Sequence, residues 1–364
     1  MFDTPVLSLD GIVDSLPAAE KARFERIYAL TATVGELRVP ETMQPWVEQQ
    51  FGSLDAVTRQ KIVRVTNKLT GEETLFSKLR ASRPQDTGTV DVELAYSDAT
   101  DFFSRPYDST PEDVFGRVVG KHCVTASNVA KFDSFHGLLV FNDFNPLDFT
   151  RAQIIDYIDV AREWALKAHQ TQPEAKYFAL IWNCLWRAGA SIGHGHAHVM
   201  LTGGRHYARI ERLRRAAVSY RQDNGGNYFD DLFRCHQAVG CALKRDGVGI
   251  MAYLTPFKDK EVIIMADELS QSFKEKVYEV LACFRDKLGV ASFNLGLVTP
   301  PLAPTEESWQ DFPVMVRVVD RGNPHHRASD VGGMEVYAAS VVSSDPIEIT
   351  GELAKWLPEE VDNG

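Results

Sequence analysis

Between residues 122 and 320 the chain runs twice through one succession, and that replay limits the fold more than any other feature. In the first pass, 122–130 and 135–141 read as short apolar strands. Residues 150–170 set Ile154, Ile155, Tyr157, Ile158, Ala161 and Trp164 on one helical face, and 177–184 and 193–202 read as two further strands. In the second pass a helix over 209–223 leads into strands at 249–257 and 261–266, a helix over 270–289, and strands at 292–300 and 314–320. Short strands in sequence-adjacent pairs, each pair of pairs separated by one amphipathic helix, give an α+β chain. The expected form is two similar units, each an antiparallel sheet with helices packed on it.

The flanking sequence is less regular. Residues 1–55 carry helical periodicity, most clearly over 15–34, and are expected to form an N-terminal helical extension. Strand-like pieces alternate over 60–84 around the turn signal Thr70-Gly71, with Pro84 closing them, and 85–115 is a polar, Gly- and Pro-punctuated excursion with little local structure of its own. The expected divisions are therefore 1–55, a first unit over 56–210 and a second over 211–364.

With 364 residues, two domains are the default, and 44% apolar with 24% charged residues is an ordinary folded composition. The net charge of −11 repels phosphate polymers, so nucleic acid is not an expected partner, and no stretch approaches the ~18 apolar residues of a membrane span. Cys123, Cys184, Cys235, Cys241 and Cys283 are odd in number, widely spaced and without a Cys-x-x-Cys pair. With an N-terminus that lacks a secretory leader, this points to a reducing, cytoplasmic setting.

The chemistry is concentrated in His194-Gly195-His196-Ala197-His198. On a strand, alternate residues share a face, so three imidazoles about 7 Å apart would stand together while Gly195 and Ala197 allow close packing behind them. Such a triplet admits three readings: nucleophilic attack on phosphorus by an imidazole, which is also a good leaving group; chelation of a metal such as zinc; or a solvated run without function.

Immediately upstream stand Asn183, Gly189, Ala190 and Ser191, and the run from Asn183 to His198 resembles the signature of the galactose-1-phosphate uridylyltransferase branch of the histidine-triad superfamily. Three further segments resemble that branch or the related dinucleoside tetraphosphate phosphorylases, in family order: 69–84 with Arg80 and Arg83, 128–147 with His136, and 332–342 with Glu335. The resemblance implies two histidine-triad-like units and a nucleotidyl group carried covalently on His196. It implies His194, His198 and Ser191 as catalytic neighbours, and Arg80, Arg83, Asn183, Gly189 and Ala190 on the nucleotide phosphates. Glu335 would sit on the second substrate.

The implied partners are a nucleotide sugar or dinucleoside polyphosphate, then a phosphorylated acceptor or water; a homodimer in which one subunit completes the other's site is also implied. His198 departs from the branch, whose transferases carry glutamine there, and a histidine that can move protons opens the alternative of a hydrolase releasing a nucleoside monophosphate. A non-catalytic metal-binding module is the rival from another class. Many family members hold a structural zinc through an early cysteine pair and two histidines. Here no cysteine precedes Cys123, and the second histidine's position falls near Phe144-Asn145. The expectation is that no cofactor is bound and that His194 is free to face the leaving group. Lys131 and His136 are weaker candidates for ligand contact, and Trp182 and Trp186 more often belong to a core. His325-His326 belongs to a turn, and Asn142-Asp143 resembles a nucleotide-contacting pair at the wrong distance from the triplet.

Overall fold

The computed structural model describes residues 5–82, 101–326 and 329–357. Its frame is a nine-stranded sheet, antiparallel throughout, in the order β4-β5-β7-β6-β11-β12-β10-β9-β8. The strands are β4 (Cys123–Ser127), β5 (Phe135–Phe141), β6 (Ala175–Cys184), β7 (His196–Gly203), β8 (Ala242–Arg245), β9 (Val248–Ala252), β10 (Val262–Ala266), β11 (Phe293–Val298) and β12 (Val314–Asp320). The replay is visible in that order. β4-β5-β7-β6 is answered by β9-β10-β12-β11, and each set has its helix, Arg151–Thr171 or Gln271–Asp286, between its second and third strands in the chain.

The expected two units are joined edge to edge. β6 and β11 pair from Cys184↔Phe293 to Ala179↔Val298, so the two units share one continuous sheet. The physical reason is that each unit would otherwise expose an apolar inner edge, and pairing them removes both edges.

One face of the sheet packs on the two long helices. The helix Arg151–Thr171 starts at a Thr150/Gln153 capping box, then buries Ile154, Tyr157, Ile158, Ala161, Trp164, Ala165 and Ala168 at helical spacing. These meet Leu139, Phe141, Leu180, Ala197 and Val199, and the large ones each contribute about 1.5–3 kcal/mol by burial. Gly137 lets β5 lie directly on Trp164, because a Cβ there would stand 2.8 Å from the indole. The opposite face is covered by a second core that includes Leu9, Phe24, Ile27, Tyr220, Tyr228 and Leu232. That cover stops short of the middle of the sheet: Ile181 on β6 is exposed, and a Cβ on Gly296 would meet nothing within 4 Å.

The segment over 15–34 is not helical throughout. The helix Ala18–Ile27 gives way at Tyr28 to β1 (Tyr28–Glu36), which joins β2 (Arg59–Asn67) and β3 (Glu73–Phe76) in a second sheet of order β1-β2-β3-β13. The run Tyr28–Val34, with two threonines and a valine, favours extended backbone and finds in β2 a full antiparallel partner; cross-strand pairing overrides the helical periodicity. β13 (Ser340–Val342) pairs parallel with β3 through Ser340↔Thr74 and Val342↔Phe76. This brings the Arg80 segment beside the Glu335 segment.

Candidate active site

The triplet does not lie wholly on a strand. β7 begins at His196, and His194 sits in the bend before it. The bend is forced by a close approach: the Gly195 amide donates to the Phe144 carbonyl at 2.8 Å and its carbonyl accepts from the Phe141 amide at 2.9 Å. A Cβ at Gly195 would lie 2.7 Å from the Phe141 ring and 3.0 Å from the Asp143 carbonyl oxygen. His196 and His198 therefore share the sheet face, with ring centroids 5.5 Å apart, while the His194 side chain turns away.

His194 is not free to face a leaving group. Its Nδ1 lies 2.8 Å from Asp101 Oδ2 and its Nε2 lies 2.8 Å from the Phe141 carbonyl oxygen, so both nitrogens face acceptors. His194 in turn offers its own carbonyl to His196 Nδ1 at 2.8 Å. A carbonyl only accepts, so the neutral His196 ring carries its proton on Nδ1 and keeps the lone pair on Nε2. Burial, the dominant influence, holds the His196 pKa below the ordinary histidine value, and the charge of His194 acts in the same direction. Phe103 packs edge-on against His196 with centroids 5.1 Å apart.

His198 is fixed through His136. The Phe132 amide donates to His136 Nδ1 at 3.0 Å, which leaves the His136 proton on Nε2, where it is donated to His198 Nδ1 at 3.0 Å. His198 must then carry its own proton on Nε2 and present a neutral N–H. Asn128 Nδ2, 3.2 Å from His136 Nε2, is a contact and not a hydrogen bond in this tautomer. Burial, then the rings of His196 and His136, pushes His198 down to about 4; burial, then Lys131, does the same to His136. His136, a weak candidate in the sequence, is thus part of the site. Lys131 is committed elsewhere, donating to Ser127 Oγ at 2.7 Å and pairing with Asp113 at 3.6 Å.

Beside the histidines the uncovered sheet face continues across β6 and β11. Antiparallel registry puts Ile181 next to His198 and Asn183 on the same face two residues further along. Asn183 Oδ1 accepts from Asn294 Nδ2 at 2.7 Å, and Asn294 Oδ1 accepts from Arg321. Asn294 also donates to the Ala188 carbonyl at 2.8 Å, which holds the loop of Gly189, Ala190 and Ser191. That loop turns through Leu185 at φ 68° and Gly189 at φ 97°, and it presents Ser191 to solvent.

Two cavities border this face. One, of about 770 Å3, is lined by Asp101, Phe103, Tyr107, Asn142, Phe144 and His194 among others. The second, of about 1030 Å3, holds Arg80, Arg187, Lys258, Arg321, His326 and Glu335. Arg321 links it to the histidine face through Asn294 and Asn183. Glu335 is kept ionised against the opposing effect of burial by the Gly332 amide and by Lys258, 3.1 Å away. The structure thus unites Arg80 with Glu335 in one cleft whose lining does not include the triplet. Arg83 lies outside the described residues. His325 is in a turn, its amide donating to Asn323 Oδ1 at 2.9 Å, and Trp182 is a core residue.

The residues around His194 do not fit the zinc that the resemblance implies. Both its nitrogens are engaged, Phe144 packs a ring on it at 5.5 Å, and burial together with Asp156 keeps Cys123 a thiol. Among the described residues no group of three or more His, Cys, Asp or Glu is placed to hold a metal ion. No described helix is long and apolar enough to cross a membrane.

No family model matches the sequence, and no curated protein matches it. Solved structures do. An ADP-glucose phosphorylase from Arabidopsis thaliana, solved with bound ADP-glucose, superposes with a TM-score of 0.60 at 14% identity over 80% of this chain and 98% of its own. A GalT-like protein from Arabidopsis thaliana gives 0.56 at 15% over 72% and 93%, and a uridylyltransferase gives 0.56 at 15% over 82% and 100%. At such identities what is shared is the fold alone: the chain has the α+β architecture of these proteins.

Proposed function

We propose that this chain is a nucleotidyl-transferring enzyme acting on a nucleotide sugar or a dinucleoside polyphosphate through a covalent nucleotidyl-His196. The observation that carries the reading is the hydrogen bond from His196 Nδ1 to the His194 carbonyl, which leaves the Nε2 lone pair available on a buried, neutral ring. In the first step Nε2 bonds to the α-phosphorus, and the bridging P–O bond breaks. The distal phosphate leaves with the electron pair, and the proton stays on Nδ1, still donated to the His194 carbonyl. In the second step an acceptor oxygen bonds to phosphorus, the P–N bond breaks and the lone pair returns to Nε2. His198 donates its Nε2–H to the oxygens where charge builds up.

The acceptor is best read as a phosphorylated one, inorganic phosphate or a sugar phosphate. Such an acceptor already carries its negative charge near neutral pH, with a second pKa of about 6, and requires no base. Water does require one, and His198, held with its proton on Nε2, offers no lone pair toward the site. This weighs against the hydrolase. The cleft with Arg80, Arg187, Arg321 and Glu335 suits a phosphorylated acceptor or the distal half of the donor. The cavity lined by Tyr107, Asn142 and Phe144 suits a nucleoside. The metal-binding module is disfavoured because two of the three rings spend nitrogens on oxygen acceptors and the third on His136.

The test is product analysis. Nucleotide sugars, dinucleoside polyphosphates and nucleoside triphosphates are incubated with the enzyme alone, with inorganic phosphate and with hexose phosphate, and His196→Gly serves as control. New nucleotide formed only with a phosphorylated acceptor supports the reading. A nucleoside monophosphate formed equally without one supports the hydrolase, and turnover surviving in His196→Gly refutes both.

A further inference from the structure

We propose that Asp101 is a positioning residue for the nucleophile, and that its pair with His194 does the work a metal would otherwise do at that place. The inference rests on the reading of His196 given above. Asp101 lies outside the strands and long helices of the nine-stranded sheet, yet its side chain and that of His194 are both buried, with Oδ2 2.8 Å from Nδ1. Asp101 Oδ1 accepts the Phe103 amide at 3.0 Å, so the same carboxylate anchors the ring that packs on both His194 and His196.

The geometry forms a chain of three links: carboxylate to His194 Nδ1, His194 Nε2 to the Phe141 carbonyl, and His194 carbonyl to His196 Nδ1. Only a ring with protons on both nitrogens donates to both oxygens, and the carboxylate supplies the compensating charge. With His194 clamped at both nitrogens, the bend before β7 has one arrangement, and its carbonyl is aimed at His196. Removing the carboxylate removes the charge that compensates the second proton, and a neutral His194 donates from one nitrogen only. The bend loosens, and the His196 proton is no longer confined to Nδ1. A ring carrying its proton on Nε2 has no lone pair toward phosphorus, so the loss appears in the chemical step and not in substrate binding.

The test compares wild type, Asp101→Asn and Asp101→Glu by long-range proton–nitrogen NMR of the histidine side chains, by metal analysis and by nucleotidyl transfer from ADP-glucose as probe. Expected are no stoichiometric metal, a wild-type His194 with two N–H protons and a His196 protonated at Nδ1 alone. In Asp101→Asn, His194 should have a single N–H and His196 a mixture of tautomers. kcat should be lower by roughly 10–100-fold with KM within about threefold, the range seen for residues that orient a ligating or reacting histidine, with partial recovery in Asp101→Glu. Zinc bound at one per chain, or a His196 tautomer unchanged by Asp101→Asn, overturns the proposal. If ADP-glucose is not a donor, the tautomer comparison still decides it, while the failure of transfer counts against the proposed function alone.

Discussion

At the scale of single residues, the third histidine of the triplet does what a neutral amide does. His198 has its Nδ1 occupied by His136 and its Nε2 reduced to a donor, so glutamine, with an amide N–H of similar reach, is an acceptable replacement. His198→Gln is expected to keep nucleotidyl transfer within about tenfold of wild type, whereas His198→Ala, which removes a donor to developing charge, should lose about 100-fold in kcat. Steady-state kinetics distinguishes this from a proton-shuttling His198, for which both changes would be equally damaging. The buried histidines also set the acid limit of stability. His136, His198, His206 and His236 are each pushed by burial from 6.5 to about 4. Between those values the unfolded chain binds protons that the folded chain does not, so this contribution is complete above about pH 6.5 and is lost as the pH falls toward 4. Thermal unfolding followed from pH 8 to pH 4 should show a level Tm that drops steeply below pH 6.5, and a Tm level down to pH 4.5 would contradict the assignment. His196 could be proposed as nucleophile from the sequence because the local spacing of the triplet suggests that chemistry. Asp101 was not legible, because nothing local marks an aspartate that meets a histidine 93 positions further along the chain.

At the scale of elements, two glycines, one just before β7 and one on β11, make opposite predictions. Gly195 lies where a Cβ would press on Phe141 and the Asp143 carbonyl, so Gly195→Ala should destabilise by about 1–3 kcal/mol and displace the start of β7. Gly296 lies where a Cβ meets nothing, and alanine there should be neutral or stabilise by about 0.4–1 kcal/mol while narrowing the open face beside His198. Chemical denaturation of the two variants checks the pair, and equal destabilisation would show that the uncovered face is not open. The elements legible in the sequence were those with a clear period: the helix Arg151–Thr171, the helix Gln271–Asp286 and the apolar strands between them. β1 was misread because Tyr28–Val34 carries apolar spacing compatible with a helix, and only its pairing with β2 decides otherwise. The hidden break before His196 has the same origin, since the bend depends on backbone contacts with Phe141 and Phe144 that no spacing along β7 reveals.

At the scale of the whole molecule, the repeated unit supplies one long sheet, and the chemistry sits where its cover is incomplete. The first unit provides His196, the proposed nucleophile, on β7, while the second provides Asn294 and Arg321, and the β3/β13 pair adds Arg80 and Glu335 to the cleft beyond them. This division was legible as a replayed pattern, but not the fusion of the two halves through β6 and β11, which depends on complementary edges and not on composition. It also gives Arg80 a checkable role: Arg80→Ala should raise the KM for a phosphorylated acceptor by about tenfold or more, the loss of one charged hydrogen bond. A KM unchanged for every acceptor would remove the cleft from the account. The central claim is the intermediate itself, and intact-mass analysis of a base-quenched reaction with ADP-glucose, other nucleotide sugars and dinucleoside polyphosphates tests it most directly. The account predicts an acid-labile, base-stable adduct of one nucleoside monophosphate per chain, mapped to His196 and missing in His196→Gly; turnover without any adduct, or an adduct that persists in His196→Gly, would contradict it.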